Sequence, residues 1–87
     1  MPLQIKITKT PLKYFESLDK PTRKRISDKL EAIAKDPLDP RLSKRLAVDT
    51  RRTARVGDYR ILFEIDGDLL VVDEIGPRGQ IYRRLRT

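Results

Sequence analysis

The chain has 87 residues, of which 38 % are apolar and 38 % charged, enough hydrophobic material for one small core inside an unusually charged exterior. A single domain over residues 1–87 is expected, and disorder along the whole length is not. No apolar run approaches the roughly 20 residues that span a bilayer, and the first residues lack a signal peptide's apolar stretch, so a cytoplasmic protein with no membrane association is expected.

The sequence contains neither cysteine nor histidine. Disulfides, thiolate metal sites, the commonest metal ligand and the side chain best suited to proton transfer near pH 7 are thereby removed, and no cofactor is expected. Twenty Lys and Arg against 13 Asp and Glu leave a formal charge of +7, which favours an anionic partner such as nucleic acid or an acidic protein. The bland alternative is that the charge only keeps a small protein in solution.

The two halves use different cations. Residues 1–40 carry seven Lys and two Arg, whereas residues 41–87 carry Lys44 alone and ten Arg. Lysine is a hydrated point charge suited to a solvated helix face, while arginine's planar fork suits bidentate binding of phosphate or carboxylate. The second half therefore reads as the working surface. Between Glu64 and Glu74 the sign reverses, so some arginines can simply neutralise these acids.

In chain order, Leu3, Ile5 and Ile7 alternate with polar residues and predict a half-buried strand over 3–8. Thr10 and Pro11 read as N-cap and first helical residue, with Leu12, Phe15 and Leu18 at helical spacing, giving a helix over 11–18. Pro21 restarts the pattern, Ile26, Leu30 and Ile33 hold one face, and Asp36-Pro37 ends a second helix over 21–35. A loop follows through Pro40, then a basic connection to Val48. Strands are predicted over 50–56, 59–65, 69–75 and 80–85, with Gly57-Asp58 and Asp66-Gly67 as hairpin turns. The fold class is α+β, β-α-α-β-β-β-β, a helical hairpin on a mostly antiparallel sheet.

A two-residue loop at Gly57-Asp58 places Val56 opposite Tyr59, Arg55 opposite Arg60, Ala54 opposite Ile61 and Arg51 opposite Glu64. Ala54, Val56, Tyr59, Ile61 and Phe63 then line the core, and Arg51, Arg55 and Arg60 project from the other side. Directly opposed like charges destabilise a strand pair unless an anion relieves them, which hints at a phosphate site. The competing account is an ion pair: the second hairpin puts Arg60 opposite Asp73 or Glu74, depending on turn length. Further on, Gly76, Pro77 and Gly79 form a turn that presents Arg78 with little bulk beside it, and Tyr82 is either a core aromatic or a site residue. Arg83, Arg84 and Arg86 read more readily as a solvated tail than as site residues.

The stretch Ala54-Arg55-Val56-Gly57-Asp58-Tyr59-Arg60-Ile61-Leu62-Phe63-Glu64-Ile65, followed by Gly76-Pro77-Arg78 and Ile81-Tyr82-Arg83, resembles the RelE branch of the RelE/ParE toxin superfamily. The Arg-x-Gly-Asp-Tyr-Arg core is shared by RelE-like and ParE-like members; Arg78 and Tyr82 discriminate better. The resemblance covers the whole chain and implies a RelE-like fold and a toxin of a type II toxin–antitoxin system. It implies a metal-independent endoribonuclease that enters the ribosomal A site, cleaves messenger RNA and inhibits translation. The implied partners are the ribosome, messenger RNA and an acidic, RelB-like antitoxin.

Carried over by resemblance, the catalytic residues are Arg60, Arg78 and Tyr82, and the RNA- and ribosome-binding residues are Arg51, Arg55 and Arg83. A site lysine of some members falls on Thr53 and is lost, and the spacing from Arg78 to Tyr82 is shorter than in some members. Two other readings stay open: a ParE-like toxin that inhibits DNA gyrase, and a basic RNA-binding module without catalysis.

Overall fold

The computed structural model describes residues 2–45 and 51–77. Strand β1 (Gln4–Ile7) leads into helices α1 (Lys9–Glu16) and α2 (Lys20–Lys35), followed by β2 (Lys44–Arg45), β3 (Arg52–Val56), β4 (Tyr59–Asp66) and β5 (Leu69–Pro77). The strands form one sheet in the order β1-β5-β4-β3-β2. All neighbours are antiparallel except β1, which runs parallel to β5. The expected α+β class holds, but the strands are not all those expected. Lys44–Arg45 is a short edge strand where a connection was expected, and the strand expected over 80–85 lies outside the described residues.

Alternation places Leu3 and Ile7 against the core, while Ile5 stays 38 % exposed because β1 is the sheet's outer edge. Helix α1 begins two residues earlier than its sequence signal. Thr8, not Thr10, is the N-cap, and its hydroxyl makes no capping bond. It donates instead to the Val72 carbonyl at 3.1 Å, beside the Thr8 N–H to the same oxygen at 3.2 Å, which fastens the end of β1 to β5. Pro11 then sits in the first turn, where a missing N–H costs no intrahelical bond.

Helix α2 starts at Asp19, whose carboxylate accepts from the Thr22 hydroxyl, and Pro21 lies in its first turn. Ile26, Leu30 and Ile33 fall on one stripe and are fully buried. At about 1.5–3 kcal/mol per buried aliphatic side chain, this stripe anchors α2 to the sheet. It meets Ala54, Val56, Ile61, Phe63, Leu70, Val72 and Ile75.

Both tight hairpins have glycine in the first loop position with positive φ, Gly57 at +58° and Gly67 at +61°. Positive φ is a conformation that glycine adopts without steric cost, and it matches the twist of the flanking strands. The second turn is Gly67-Asp68, since Asp66 pairs with Leu69, and not the expected Asp66-Gly67. A β-bulge follows: Phe63 opposes Val72 but Leu62 opposes Glu74, leaving Asp73 as the extra residue. The apolar spacing of β5, 70, 72 and then 75, explains it. Without the added residue Glu74 instead of Ile75 would oppose Ile61 on the buried face.

Candidate nucleic-acid interface

The first hairpin has the register read from the sequence, with Val56 opposite Tyr59, Arg55 opposite Arg60 and Ala54 opposite Ile61. Ala54, Val56, Ile61 and Phe63 pack under α2, whereas Tyr59 is half-buried at the rim with its ring edge-on to Tyr14, centroids 6.4 Å apart. Burial and the neighbouring Tyr59 together raise the Tyr14 hydroxyl above its usual pKa. The side chains between these point to the opposite face, and there Arg55 and Arg60 lie side by side.

Arg55 is exposed, and its Nε donates to the Gly57 carbonyl at 3.1 Å, so the turn itself steadies the guanidinium. Arg60 is half-buried and faces Gly76 across the β4–β5 ladder. Neither Asp73 nor Glu74 stands opposite it, because the turn begins one residue later than expected and the bulge adds another step. Arg51 precedes β3, and one further step of the ladder aligns it with Glu64, on the face of Arg55 and Arg60. Three of the expected site residues, Arg51, Arg55 and Arg60, thus share one sheet face. Arg78, Tyr82 and Arg83 lie outside the described residues.

Next to this face the structure has an open concavity of about 170 Å³. Five of its lining residues are cations, Lys29, Arg41, Lys44, Arg55 and Arg60, and among the described residues none that lines it carries a carboxylate. Each arrives from a different element: Lys29 from α2, Arg41 from the loop after it, Lys44 from β2, and the arginines from β3 and β4. Linear spacing gave no signal for Lys29, Arg41 or Lys44, because they are separated from Arg55 by 11 to 26 positions and meet it only through chain folding.

Two local contacts shape the rim. Asp39 grips Arg41 through Nε at 3.1 Å and Nη2 at 2.8 Å and also accepts the Arg41 backbone N–H at 2.9 Å. Those hydrogen bonds hold the Asp39 carboxyl below its usual pKa. Arg52, on the helix-facing side of β3, donates to the Ser43 hydroxyl at 2.9 Å and carbonyl at 3.3 Å, which ties the loop to the sheet ahead of Lys44. Lys44 pairs directly with Thr53.

The chain matches the ParE toxin of type II toxin–antitoxin systems, parDE, over residues 5–82. No curated protein matches it. Among solved structures it is similar to the RelBE toxin–antitoxin complex of Mycobacterium tuberculosis, at a TM-score of 0.76 and 23 % identity over 90 % of this chain and 100 % of that one. It is similar also to the RelE–RelB complex of Pyrococcus horikoshii, at 0.75 and 23 % identity over 92 % and 99 % of the two chains. The RelB–RelE complex of Methanococcus jannaschii gives 0.69 and 26 % identity over 88 % and 94 %.

Proposed function

The chain belongs to the ParE toxin family of type II toxin–antitoxin systems, and from the arginines gathered on one sheet face we propose that it is a ribosome-dependent endoribonuclease, cleaving messenger RNA in the A site and halting translation. Its fold is that of the RelE toxins. The observation that most supports the nuclease reading is the Arg55–Arg60 pair, two cations directly opposed on a sheet face beside a concavity lined by five cations. A sheet face that gathers several guanidinium groups suits a run of phosphates.

In the proposed reaction the 2′-hydroxyl oxygen attacks the adjacent phosphorus while the bond from phosphorus to the 5′-oxygen breaks. The products are a 2′,3′-cyclic phosphate and a 5′-hydroxyl, the latter taking up a proton as the 2′-hydroxyl loses one. Arginine is permanently protonated, so Arg60 and Arg78 stabilise negative charge on the phosphorane and do not accept the proton. Arg51, Arg55 and Arg83 hold neighbouring phosphates or ribosomal RNA. Tyr82 stacks on a base, orients the 2′-hydroxyl or accepts its proton. A site of fixed cations borrows its substrate orientation from the ribosome, so naked RNA is cut poorly.

The partner that restrains it is an acidic antitoxin of the RelB kind, partly disordered when free and ordered on wrapping the toxin. The solved relatives were crystallised as RelB–RelE complexes, which supports this partner. The reading is tested by mapping 5′ ends of messenger RNA after brief induction in bacteria, where new ends should cluster within translated codons. The ParE family match favours a second reading, inhibition of DNA gyrase. Intact messenger with accumulating double-strand DNA breaks would establish that one instead.

A further inference from the structure

Thr53 forms part of the wall of the cationic concavity, is 6 % exposed, and its hydroxyl is buried with no hydrogen-bond partner among the described residues. An unsatisfied buried hydroxyl is unfavourable by about 1–3 kcal/mol, and such groups usually find a partner. Lys44 stands directly across from Thr53 on β2, and Lys29 reaches the same space from α2. Arg41 contributes less, because Asp39 already engages its guanidinium.

We propose that Lys29, Lys44 and Thr53 form a second phosphate subsite, which binds a backbone phosphodiester of single-stranded RNA next to the one held at Arg55 and Arg60. The Thr53 hydroxyl turns about its Cα–Cβ bond to donate to one phosphate oxygen, and the two ammonium groups flank the others. Mixed donors of this kind, two mobile point charges and a hydroxyl, suit a tetrahedral anion with several acceptor oxygens better than a planar carboxylate. The subsite deepens the nuclease reading and rests on it for the identity of the strand. It adds residues from α2 and β2 to a face otherwise built from β3 and β4.

The test is NMR titration of the intact protein with inorganic phosphate and with a DNA trinucleotide, which lacks the 2′-hydroxyl and so is not cut. Lys29→Ala and Lys44→Ala should each weaken trinucleotide binding about tenfold. Each should also lower the slope of log affinity against log salt by about 0.7. Thr53→Val should weaken binding while raising the melting temperature, since valine removes an unsatisfied group from a buried position. Unchanged affinity in both lysine variants, or shifts that map away from Thr53, would overturn the subsite. Acetate, a planar carboxylate, displacing the trinucleotide at lower concentration than inorganic phosphate does would overturn the assignment to a phosphate. The outcome is separable from that of the nuclease reading: binding here by a protein that cuts no messenger retains the subsite and removes the activity, whereas messenger cleavage undiminished in Lys29→Ala and Lys44→Ala removes only the subsite.

Discussion

Arg55 and Arg60 face each other across the β3–β4 ladder, one exposed and held at Nε by the Gly57 carbonyl, the other half-buried. Like charges directly opposed on a sheet cost about 0.2–1 kcal/mol. Arg55→Thr removes the repulsion and adds a β-branched residue, with the loss of the Gly57 contact offsetting part of the gain. The melting temperature should rise by about 1–3 °C. Messenger cleavage should fall at the same time, a trade of activity for stability typical of functional charge clusters. A melting temperature that drops in this variant would show the pair to be structurally favourable and would count against an anion site.

Arg60→Ala and Arg78→Ala should each lower cleavage about 10²-fold or more, as loss of a preorganised charge at a transition state does. Single-turnover cleavage on programmed ribosomes measures it. Were Arg60→Ala to unfold the chain while Arg78→Ala stayed fully active, the structural role of Arg60 would account for its position. Tyr82→Phe keeps stacking and loses the hydroxyl, so full activity in that variant would exclude proton transfer by Tyr82.

The two turn glycines separate folding from function. An alanine Cβ at Gly57 would lie 3.8 Å from Arg25 Nη1, and at Gly67 it would meet nothing within 4 Å, so neither change is blocked by packing. Both residues have positive φ, and alanine there costs about 1 kcal/mol. Gly57→Ala and Gly67→Ala should therefore be destabilised alike in urea titrations. Only Gly57→Ala should also impair cleavage, because relaxation of its positive φ re-aims the backbone carbonyl to which Arg55 donates.

Acid should loosen the loop between α2 and β2. Hydrogen bonds from Arg41 hold the folded Asp39 carboxyl below its usual value of 3.8. A depressed carboxyl contributes its full stabilisation above the unfolded pKa and loses it as pH falls through the folded one. The Arg41 backbone amide, which donates to Asp39, should show this transition by NMR below pH 3.8. Asp39→Asn should abolish it. A titration midpoint above the ordinary carboxyl value would contradict the grip that Asp39 has on Arg41.

Local patterns in the sequence were enough for the hairpin at Gly57-Asp58, the stripe of Ile26, Leu30 and Ile33, and the meeting of Arg55 with Arg60. Each depends on neighbours a few positions apart: a two-residue turn sets register by counting outward, and a helical stripe repeats every three or four residues. Thr8 as the cap of α1 was not legible, since its hydroxyl serves Val72, 64 positions away. The Asp73 bulge left a trace in the spacing of Leu70, Val72 and Ile75, but only the demand to bury Ile75 opposite Ile61 turns that spacing into a register shift. Leu62 is the sharpest case: alternation puts it on the face away from the helices, yet it is 1 % exposed. Tertiary structure alone decided the cationic concavity, because Lys29, Arg41 and Lys44 reach Arg55 only after α2 folds onto the sheet and Lys44 pairs with Thr53. Charge proximity through space has no periodicity along the chain, so the residue types set the net charge while the fold alone gathered these cations in one place.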